Sequence, residues 1–434
     1  MADSHTTIDL GDGRPLTAHP LRAPVINELH ARPAFPLEAP RRIVHLAFSA
    51  DEPAARRDRD ALAAFCAASG VAAPVSEARY HRVVIGRMGL RWERHSEFVT
   101  YTFDIAAEPA EVFTRPRLRG FGLGEIAPQP GAVLVAVELG LLGAGEAAPL
   151  LAQVFDPASL CVSELEEGTA LAATDFRTDA AGFTRILAES RMLAPGRAGA
   201  LVQTLLDIET YRTVAMLALP EAQRISPEIR RIETALAEVG REMTRSAGLE
   251  SNRRLLARLT DLAAELEAQA AATSYRFGAS RAYAEIVRQR LDSLRERPAG
   301  GHAGWAPFLW RRMAPAMRTA QAVEDRQTSL STKLARSANL LRTRVDIELE
   351  SQNRDLLAAM NRRTQLQLRL QQTVEGLSVA AVSYYVVGLV GYAAKGAKTA
   401  GLPLDPEFVM AVTVPLALVA LALVVRRIRR RHRD

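Results

Sequence analysis

Three ionisable side chains alternate along one stretch of the sequence. Glu93, His95 and Glu97 lie two residues apart within 90–104, where β-branched and aromatic residues predict a single β-strand. Side chains two residues apart share one face of a strand. The spacing therefore predicts a carboxylate–imidazole–carboxylate row, able to bind a cation or to move a proton. The alternative is a solvated polar face opposite a buried Trp92, and the pattern favours this structural role.

A second polar cluster has the same spacing. Glu28, His30 and Arg32 lie in the Pro-rich segment 1–40, where the proline density forbids a long helix. We expect this segment to pack on the sheet. Arg32 would then pair with the carboxylates of the strand, and the sequence favours such an internal clamp over a catalytic or cation-binding site.

The sequence shows no signature of catalysis. It contains no P-loop, no G-x-S-x-G, no H-E-x-x-H and no Cys-x-x-Cys motif. The glycine-rich stretch 120–124 lacks the lysine of a phosphate-binding loop and is interpreted as a flexible loop. Cys66 and Cys161 are too few for a disulfide framework or a four-cysteine zinc site, and both are expected to be small buried residues in a reducing compartment. No enzyme activity, cofactor or particular metal is therefore indicated.

The net charge does not indicate a nucleic-acid partner. The chain carries 55 Lys and Arg against 49 Asp and Glu, a net charge of +6. The last nine residues, 426–434, hold six arginines and one aspartate, which supply +5 of that excess. The rest of the chain is close to neutral, so the high isoelectric point reflects a basic tail and not a nucleic-acid-binding face.

Two long apolar runs predict a pair of transmembrane helices that contact the lipid bilayer. Residues 376–394 and 408–425 contain no charged side chain, and each is long enough to cross a hydrocarbon core of roughly 30 Å. The alternative is a pair of buried core helices. Arginines precede the first run and follow the second, which predicts two cytoplasmic termini and a short outer loop, 395–407. The arginines of the tail are Arg426, Arg427, Arg429, Arg430, Arg431 and Arg433.

One face of the first predicted span combines small and aromatic residues. Ala380, Tyr384, Gly388 and Tyr392 recur every four residues and share one side of a helix, with Ser378 as a weaker member. Small residues allow close helix approach, and tyrosine hydroxyls need partners in lipid. The face is predicted either to pack against another helix or to line a pore, and the pattern favours packing.

The remaining patterns predict an α+β cytoplasmic domain followed by long helices. The α/β part includes a hairpin turning at Met88 and Gly89 and three short antiparallel strands between 161 and 187. The polar residues 1–19 do not resemble a signal peptide. The expected domains are the N-terminal segment 1–40, the α/β cytoplasmic domain 41–195, a helical layer 196–297, a long stalk helix 308–375, the two spans with their loop, and the basic cytoplasmic tail.

Within the helical layer, Pro220 is expected to end one helix and Ser226-Pro227-Glu228 to start the next. Two further helices are predicted over 249–276 and 280–296. Residues 316–375 contain no glycine or proline and would form a helix roughly 90 Å long. Its apolar stripe predicts a coiled or helical region packed on the preceding helices or on copies of itself. The stripe comprises Leu330, Leu334, Ala338, Leu341, Val345, Leu349, Leu356, Met360, Leu370, Val374 and Leu377.

Three motifs resemble an uncharacterised bacterial family of membrane-anchored proteins, a domain-of-unknown-function family. They are Asn-Glu-Leu-His-Ala-Arg-Pro at 27–33, Leu-Arg-Trp-Glu-Arg-His-Ser-Glu-Phe at 90–98 and Leu-Asp-Ile-Glu-Thr-Tyr-Arg at 206–212. The resemblance spans nearly the whole chain. It implies attachment to the bacterial inner membrane and supplies no activity.

The order of the predicted domains is similar to that of CorA-type magnesium transporters. That resemblance implies a homo-oligomer, a pentamer whose first spans line a pore. The CorA signature Tyr-Gly-Met-Asn is replaced here by Tyr392-Ala393-Ala394-Lys395, so magnesium is not implied. We therefore expect an oligomeric inner-membrane protein, a candidate ion channel or transporter whose ion is unidentified. The alternatives are a membrane-anchored scaffold or regulator and, more weakly, a membrane-tethered enzyme.

Overall fold

The computed structural model describes residues 7–8, 16–22, 25–26, 35–113, 129–245, 247–401, 403 and 405–431. By its internal contacts the chain divides into two units. The first unit comprises Met1–Glu238 and Thr260–Ala335, and the second comprises Val239–Leu259 and Arg336–Asp434. The first unit contains all the described strands.

Strand pairing builds one mixed sheet in the first unit. The strands are β1 (Thr7–Ile8), β2 (Leu16–Thr17), β3 (Arg41–Ser49), β4 (Tyr80–Ile85), β5 (Met88–Arg94), β6 (Phe98–Ala106), β7 (Val133–Leu142), β8 (Cys161–Leu165), β9 (Ala170–Thr174), β10 (Thr184–Ser190) and β11 (Arg297–Pro298). β1 pairs only with β2 among the described strands. The other nine form a sheet in the order β11-β8-β9-β10-β7-β3-β6-β5-β4. β7 and β10 are parallel, and the other described neighbours are antiparallel. The three predicted short antiparallel strands, β8 to β10, are confirmed.

The predicted hairpin exists, but its turn lies two residues earlier than expected. Ile85 pairs with Met88, so the turn consists of Gly86 and Arg87. Gly86 has φ +59°, a conformation that suits glycine in a two-residue hairpin turn. Met88 and Gly89, the predicted turn, instead begin β5.

The prediction of a single strand over 90–104 is wrong. The chain reverses at 95–97, between β5 and β6, where the backbone N–H of His95 donates to the carbonyl of Phe98 over 2.9 Å. This short polar stretch has no β-branched side chain to extend the strand. The period-two row therefore ends at Glu93.

Seven helices are described. They are α1 (Glu52–Ala68), α2 (Ala148–Val154), α3 (Pro195–Met216), α4 (Ala218–Arg245), α5 (Leu249–Ser293), α6 (Trp305–Thr399) and α7 (Pro406–Arg431). α1 begins after Asp51, whose carboxylate accepts the N–H of Ala54 over 2.8 Å, a standard N-terminal cap. α1 packs its Leu62 on one face of the sheet, and α3 packs Leu201 and Leu205 on the other.

Prolines and glycine interrupt the helices less than the sequence predicts. α4 begins at Ala218 and passes through Pro227, so the predicted start at Ser226 is wrong. A proline inside a helix costs about 3 kcal/mol, and the buried Ile225 and Ile229 on either side offset that cost. α5 is likewise one helix through Gly278, since the neighbouring Phe277 is buried.

Two helices are long and apolar enough to span a membrane. They are α6, with an apolar window of mean hydropathy 1.6, and Pro406–Val424 of α7, with a window of mean hydropathy 2.3. None of the window in α7 is buried within the chain. A soluble core helix would be covered, so this exposure and apolarity indicate membrane association. The fold is thus an α+β sheet unit followed by long helices and two apolar C-terminal helices.

Candidate functional site

Two polar residues of the motif at 90–98, Arg91 and Glu93, occupy the sheet face under α3. Arg91 and Glu93 point to this face from β5, while Trp92 packs in the core beneath α1. The carboxylate of Glu93 is buried, 3.7 Å from the Nε of Arg91. Its Oε1 atom has no hydrogen-bond partner among the described residues. A buried polar atom without a partner is costly, and the guanidinium of Arg91 is the nearest opposite charge to this carboxylate.

His45 of β3 extends this cluster across the sheet. Its Nδ1 lies 2.8 Å from the Oγ1 of Thr102, and its Nε2 lies 3.0 Å from the Oγ1 of Thr210. Burial, and then the nearby charge of Arg91, lowers the pKa of His45 to about 3. The imidazole is therefore neutral at physiological pH and joins β3 and β6 to α3 as a hydrogen-bonding group.

Asp207 contributes the third motif to the same cluster. The Nε2 of Gln203 donates to its Oδ1 over 3.1 Å, and Arg290 of α5 lies 3.0 Å from its Oδ2. Arg91 donates to the amide oxygen of Gln203. Burial raises the pKa of Asp207 to about 6, against the opposing effect of the Arg290 guanidinium. The second and third motifs thus meet in one buried network that ties the sheet to α3 and α5.

The cavity beside this network is too small to hold a substrate. The cavity beside Arg91 and Gln203 measures about 30 Å³, room for about one water molecule. A substrate pocket is at least ten times larger. The geometry therefore fits a structural role, in which this network ties the sheet to α3 and α5. Sequence reasoning missed His45, Asp207 and Arg290; a histidine within the apolar run Ile43–Val44–His45 was the available signal for the first.

Glu97 and His95 lie apart from Glu93 because the chain turns between them. Glu97 forms a bidentate ion pair with Arg276 of α5, in which the NH1 atom of Arg276 lies 3.0 Å from the Oε1 atom of Glu97. His95 stacks on Phe98 with ring centroids 4.2 Å apart, and its Nδ1 is 3.5 Å from the hydroxyl of Tyr211. Within the described part of the chain, no three metal-ligating side chains lie together. Glu28, His30 and Arg32 lie outside the described residues.

The face of small and aromatic residues on the first apolar run borders a groove beside α7. Ala380 and Gly388 line a groove of about 540 Å³ between the two helices. At Gly391 an added Cβ would lie 2.8 Å from the Sδ of Met410, so glycine permits this close approach. Tyr384 and Tyr392 stand at the same groove with 78% and 77% of their surface exposed.

Ser378 is separate from this groove and lines another, with Val382 and Leu421. In the basic tail, Arg426 is exposed, and Arg427, Arg429, Arg430 and Arg431 lie within α7. Arg433 is outside the described residues.

Both cysteines are buried, as predicted. Burial raises the pKa of the Cys66 thiol and that of Cys161, the latter to about 12. Neither thiol is therefore poised to act as a nucleophile.

These features define a protein with an α+β sheet unit, a clamped sheet–helix interface and two apolar C-terminal helices. The chain belongs to a family described as proteins of unknown function, DUF3422, whose profile matches residues 17–432. No curated protein and no solved structure matches the chain. The expectation of an uncharacterised domain family is confirmed.

Proposed function

We propose that this protein is an oligomeric inner-membrane protein with two spans and cytoplasmic termini, in which copies of α6 pack side by side and the first spans surround an ion path. One observation carries the proposal. Residues 351–374 of α6 are exposed on every side of the helix, although they carry an apolar stripe.

The stripe changes character along α6. Leu341 and Val345 are buried within the chain, with exposures of 0% and 8%. From Leu356 onward its members are uncovered, and Leu370 and Leu377 expose 67% and 74% of their surface. The first part is covered by the chain itself. The second part is mostly exposed among the described residues, where Leu370 and Val374 line only an open groove beside Leu421 and Val424 of α7.

A second copy of the chain is the partner that fits this uncovered part. Most of the stability of a helix in a protein comes from the packing of its apolar face, and a stripe with steps of three and four matches an identical stripe on a parallel neighbour. The stripe is interrupted at Arg363 and Gln367; polar residues in such seams fix register and subunit number. A pentamer is the expectation from the CorA resemblance.

The exposed tyrosines support an ion path. Tyr384 and Tyr392 share one side of the first span, and both are more than three-quarters exposed. In a monomer the hydroxyl of Tyr384 would face hydrocarbon, which is costly without a partner, whereas Tyr392 lies near the end of the run, at the level of the membrane interface. In a ring they can face neighbouring subunits or water on the axis.

The packing groove favours a second candidate, a non-transporting membrane-anchored scaffold or regulator. Ala380, Gly388 and Gly391 give their small surfaces to α7. A hairpin closed in this way needs only lipid around it. The ion-conducting oligomer and the scaffold would both be attached to the membrane, but only the first would conduct ions.

Subunit stoichiometry tests the assembly. In mass photometry of the detergent-purified protein, Leu370→Glu should dissociate the oligomer, because it places a charge in the seam of every subunit. Gln372→Glu adds the same charge at an exposed position about 200° around the helix and should leave stoichiometry unchanged. A monomeric wild-type protein would remove the proposal, since one two-helix hairpin cannot enclose a pore.

Flux into liposomes tests the ion path. The wild-type oligomer should conduct ions, and Tyr392→Ala should change the flux severalfold, whereas Val390→Ala, about 200° around the helix from Tyr392, should not. An intact oligomer without flux would overturn the ion path and leave the scaffold as the function.

A further inference from the structure

A polar cleft opens in the first unit at the loop between β9 and β10. It measures about 530 Å³ and lies between this loop, the start of β7 and the C-terminal end of α3. A neighbouring hollow of about 360 Å³ shares Phe176, Arg177 and Arg212 with it and extends to Arg312 in the first turns of α6. The combined space suits a small metabolite.

Four planar groups are stacked along the wall of this cleft. The guanidinium of Arg212 lies 5.1 Å from the ring centroid of Phe176. Phe176 stacks on Phe308 at 5.1 Å, and the guanidinium of Arg312 lies 3.8 Å from the centroid of Phe308. Cation–π contacts thus hold an arginine at each end of the stack.

The loop backbone is strained to build this wall. Phe176 has φ +55°, a conformation that costs an aromatic residue of the order of 1–3 kcal/mol. Local bonds enforce it: the N–H of Phe176 donates to the Oγ1 of Thr174 over 3.1 Å, and the N–H of Arg177 donates to Asp175 over 3.0 Å. Packing in the core would not require such strain, because an ordinary backbone could bury the same ring.

The arginine donors are only partly used. Arg212 donates its Nε and NH2 to the buried Glu209 over 2.5 Å each, which leaves its NH1 group for another acceptor. Arg177 pairs with Asp156 at the surface. Arg312 makes one long bond of 3.4 Å, to the carbonyl of Phe308, and no carboxylate of the described residues forms an ion pair with it.

The carboxylates near the cleft are already engaged. Asp156 and Glu209 hold arginines, and Asp175 accepts the backbone N–H groups of Asp156 and Arg177. The cleft therefore presents N–H donors and the hydroxyls of Thr178 and Thr184 to a ligand. Forked donors and hydroxyls match the oxygens of a phosphate group.

We propose that this cleft binds a compact phosphate ester with a polar body, its phosphate held by Arg312 and Arg177 in the neighbouring hollow and its polar body directed toward Arg212 and Thr178. A nucleotide fits less well, because both faces of Phe176 are covered, by Arg212 and Phe308, and neither is free to stack on a base. The inference does not depend on ion conduction. It assigns the first unit a ligand of its own.

Calorimetric titration of the full-length protein in maltoside detergent, which carries no phosphate, tests the site. Inorganic phosphate and glycerol 3-phosphate should bind saturably at one site per chain. Arg312→Gln should weaken both at least tenfold and Arg177→Gln severalfold. Arg311→Gln removes the same charge from the neighbouring exposed residue outside the cleft and should leave affinity unchanged.

Three results would overturn the proposal: no saturable phosphate binding, equal weakening by Arg311→Gln and Arg312→Gln, or adenosine monophosphate binding tighter than glycerol 3-phosphate. Competition by nanodiscs containing phosphatidylglycerol would assign the phosphate to a lipid headgroup, and its absence would assign it to a soluble ester. Because Arg312 is exposed and holds no ion pair among the described residues, its variant should fold, which a matching melting curve verifies.

Discussion

The imidazole of His45 is enclosed between Thr102 and Thr210, and its folded pKa of about 3 lies far below the ordinary value of 6.5. Between these values the unfolded chain binds a proton that the folded chain does not. The contribution of His45 to the free energy of unfolding is therefore fully present above pH 6.5. It is lost as the pH falls toward 3, by about 1.4 kcal/mol per pH unit at most.

Asp207 acts in the opposite direction. Its folded pKa of about 6 lies above the ordinary 3.8, so its contribution is fully present below pH 3.8 and is lost as the pH rises through 6. The two effects oppose each other between about pH 4 and pH 6. Asp207→Asn should steepen the loss of stability on acidification, and His45→Gln should flatten or reverse it. Urea unfolding from pH 4.5 to 7.5 measures both, and slopes identical to wild type would reject this assignment.

The sequence predicted the right residue types for this network but not its membership. Alternation correctly separates Arg91 and Glu93 from Trp92. It fails beyond Arg94, because the strand ends at a turn that is closed by the backbone hydrogen bond from His95 to Phe98 and is not marked by the side-chain pattern. His45, Asp207 and Arg290 come together from β3, α3 and α5, and no local spacing encodes contacts between elements so far apart in the chain.

At the scale of elements, α3 joins the N-terminal segment to the sheet through a close backbone contact. Leu37 donates its N–H to the carbonyl of Pro195 over 2.9 Å. A Cβ added at Gly199 would lie 1.5 Å from the carbonyl oxygen of Phe35, whereas one added at Gly196 would meet nothing within 4 Å. Position 199 thus requires glycine because the N-terminal segment passes so close to it, and not because its backbone dihedral angles favour glycine.

This contact predicts opposite effects for two glycines of one helix. Gly199→Ala should destabilise the protein by about 2 kcal/mol or more, because backbone atoms must shift. Gly196→Ala should stabilise it by about 0.5–1 kcal/mol through helix propensity. Melting curves compare them, and faster proteolysis near Phe35 should accompany the first. Equal melting temperatures would show that the segment is not held there.

Element boundaries were predicted well where side-chain pattern decides them and poorly where packing does. The short strands β8 to β10 follow their apolar runs. Pro227 and Gly278 suggested helix ends that do not exist, because Ile225 and Ile229 beside the proline and Phe277 beside the glycine are buried. Tertiary packing there exceeds the local cost of a breaker.

At the scale of the whole molecule, the arginines of the tail predict membrane orientation. Arg426 directly follows the apolar part of α7, and Arg369 precedes the first apolar run by a few residues. A fluorescent reporter fused after Asp434 should be active and an alkaline phosphatase there inactive. Phosphatase fused after Gly401, between α6 and α7, should be active. The reverse pattern would reject the proposed topology and with it the comparison with CorA.

We expect substitution by glutamate to have different effects in the two parts of the α6 stripe. Val345 is 8% exposed, and next to it Arg344 donates to the carbonyl of Met243 in α4 over 2.6 Å, so this part packs within its own chain. Val345→Glu should lower stability by about 3 kcal/mol or more, since an unpaired carboxylate is buried.

Leu370→Glu places the same carboxylate on the uncovered part of the stripe. The fold of each chain should keep its melting temperature, while the mass of the particle falls to that of one subunit. Recording a melting curve and mass photometry on both variants separates the two roles. A Val345→Glu protein that dissociates at an unchanged melting temperature would move the subunit interface to the first part of the stripe, and an assembled Leu370→Glu protein would remove it from the second.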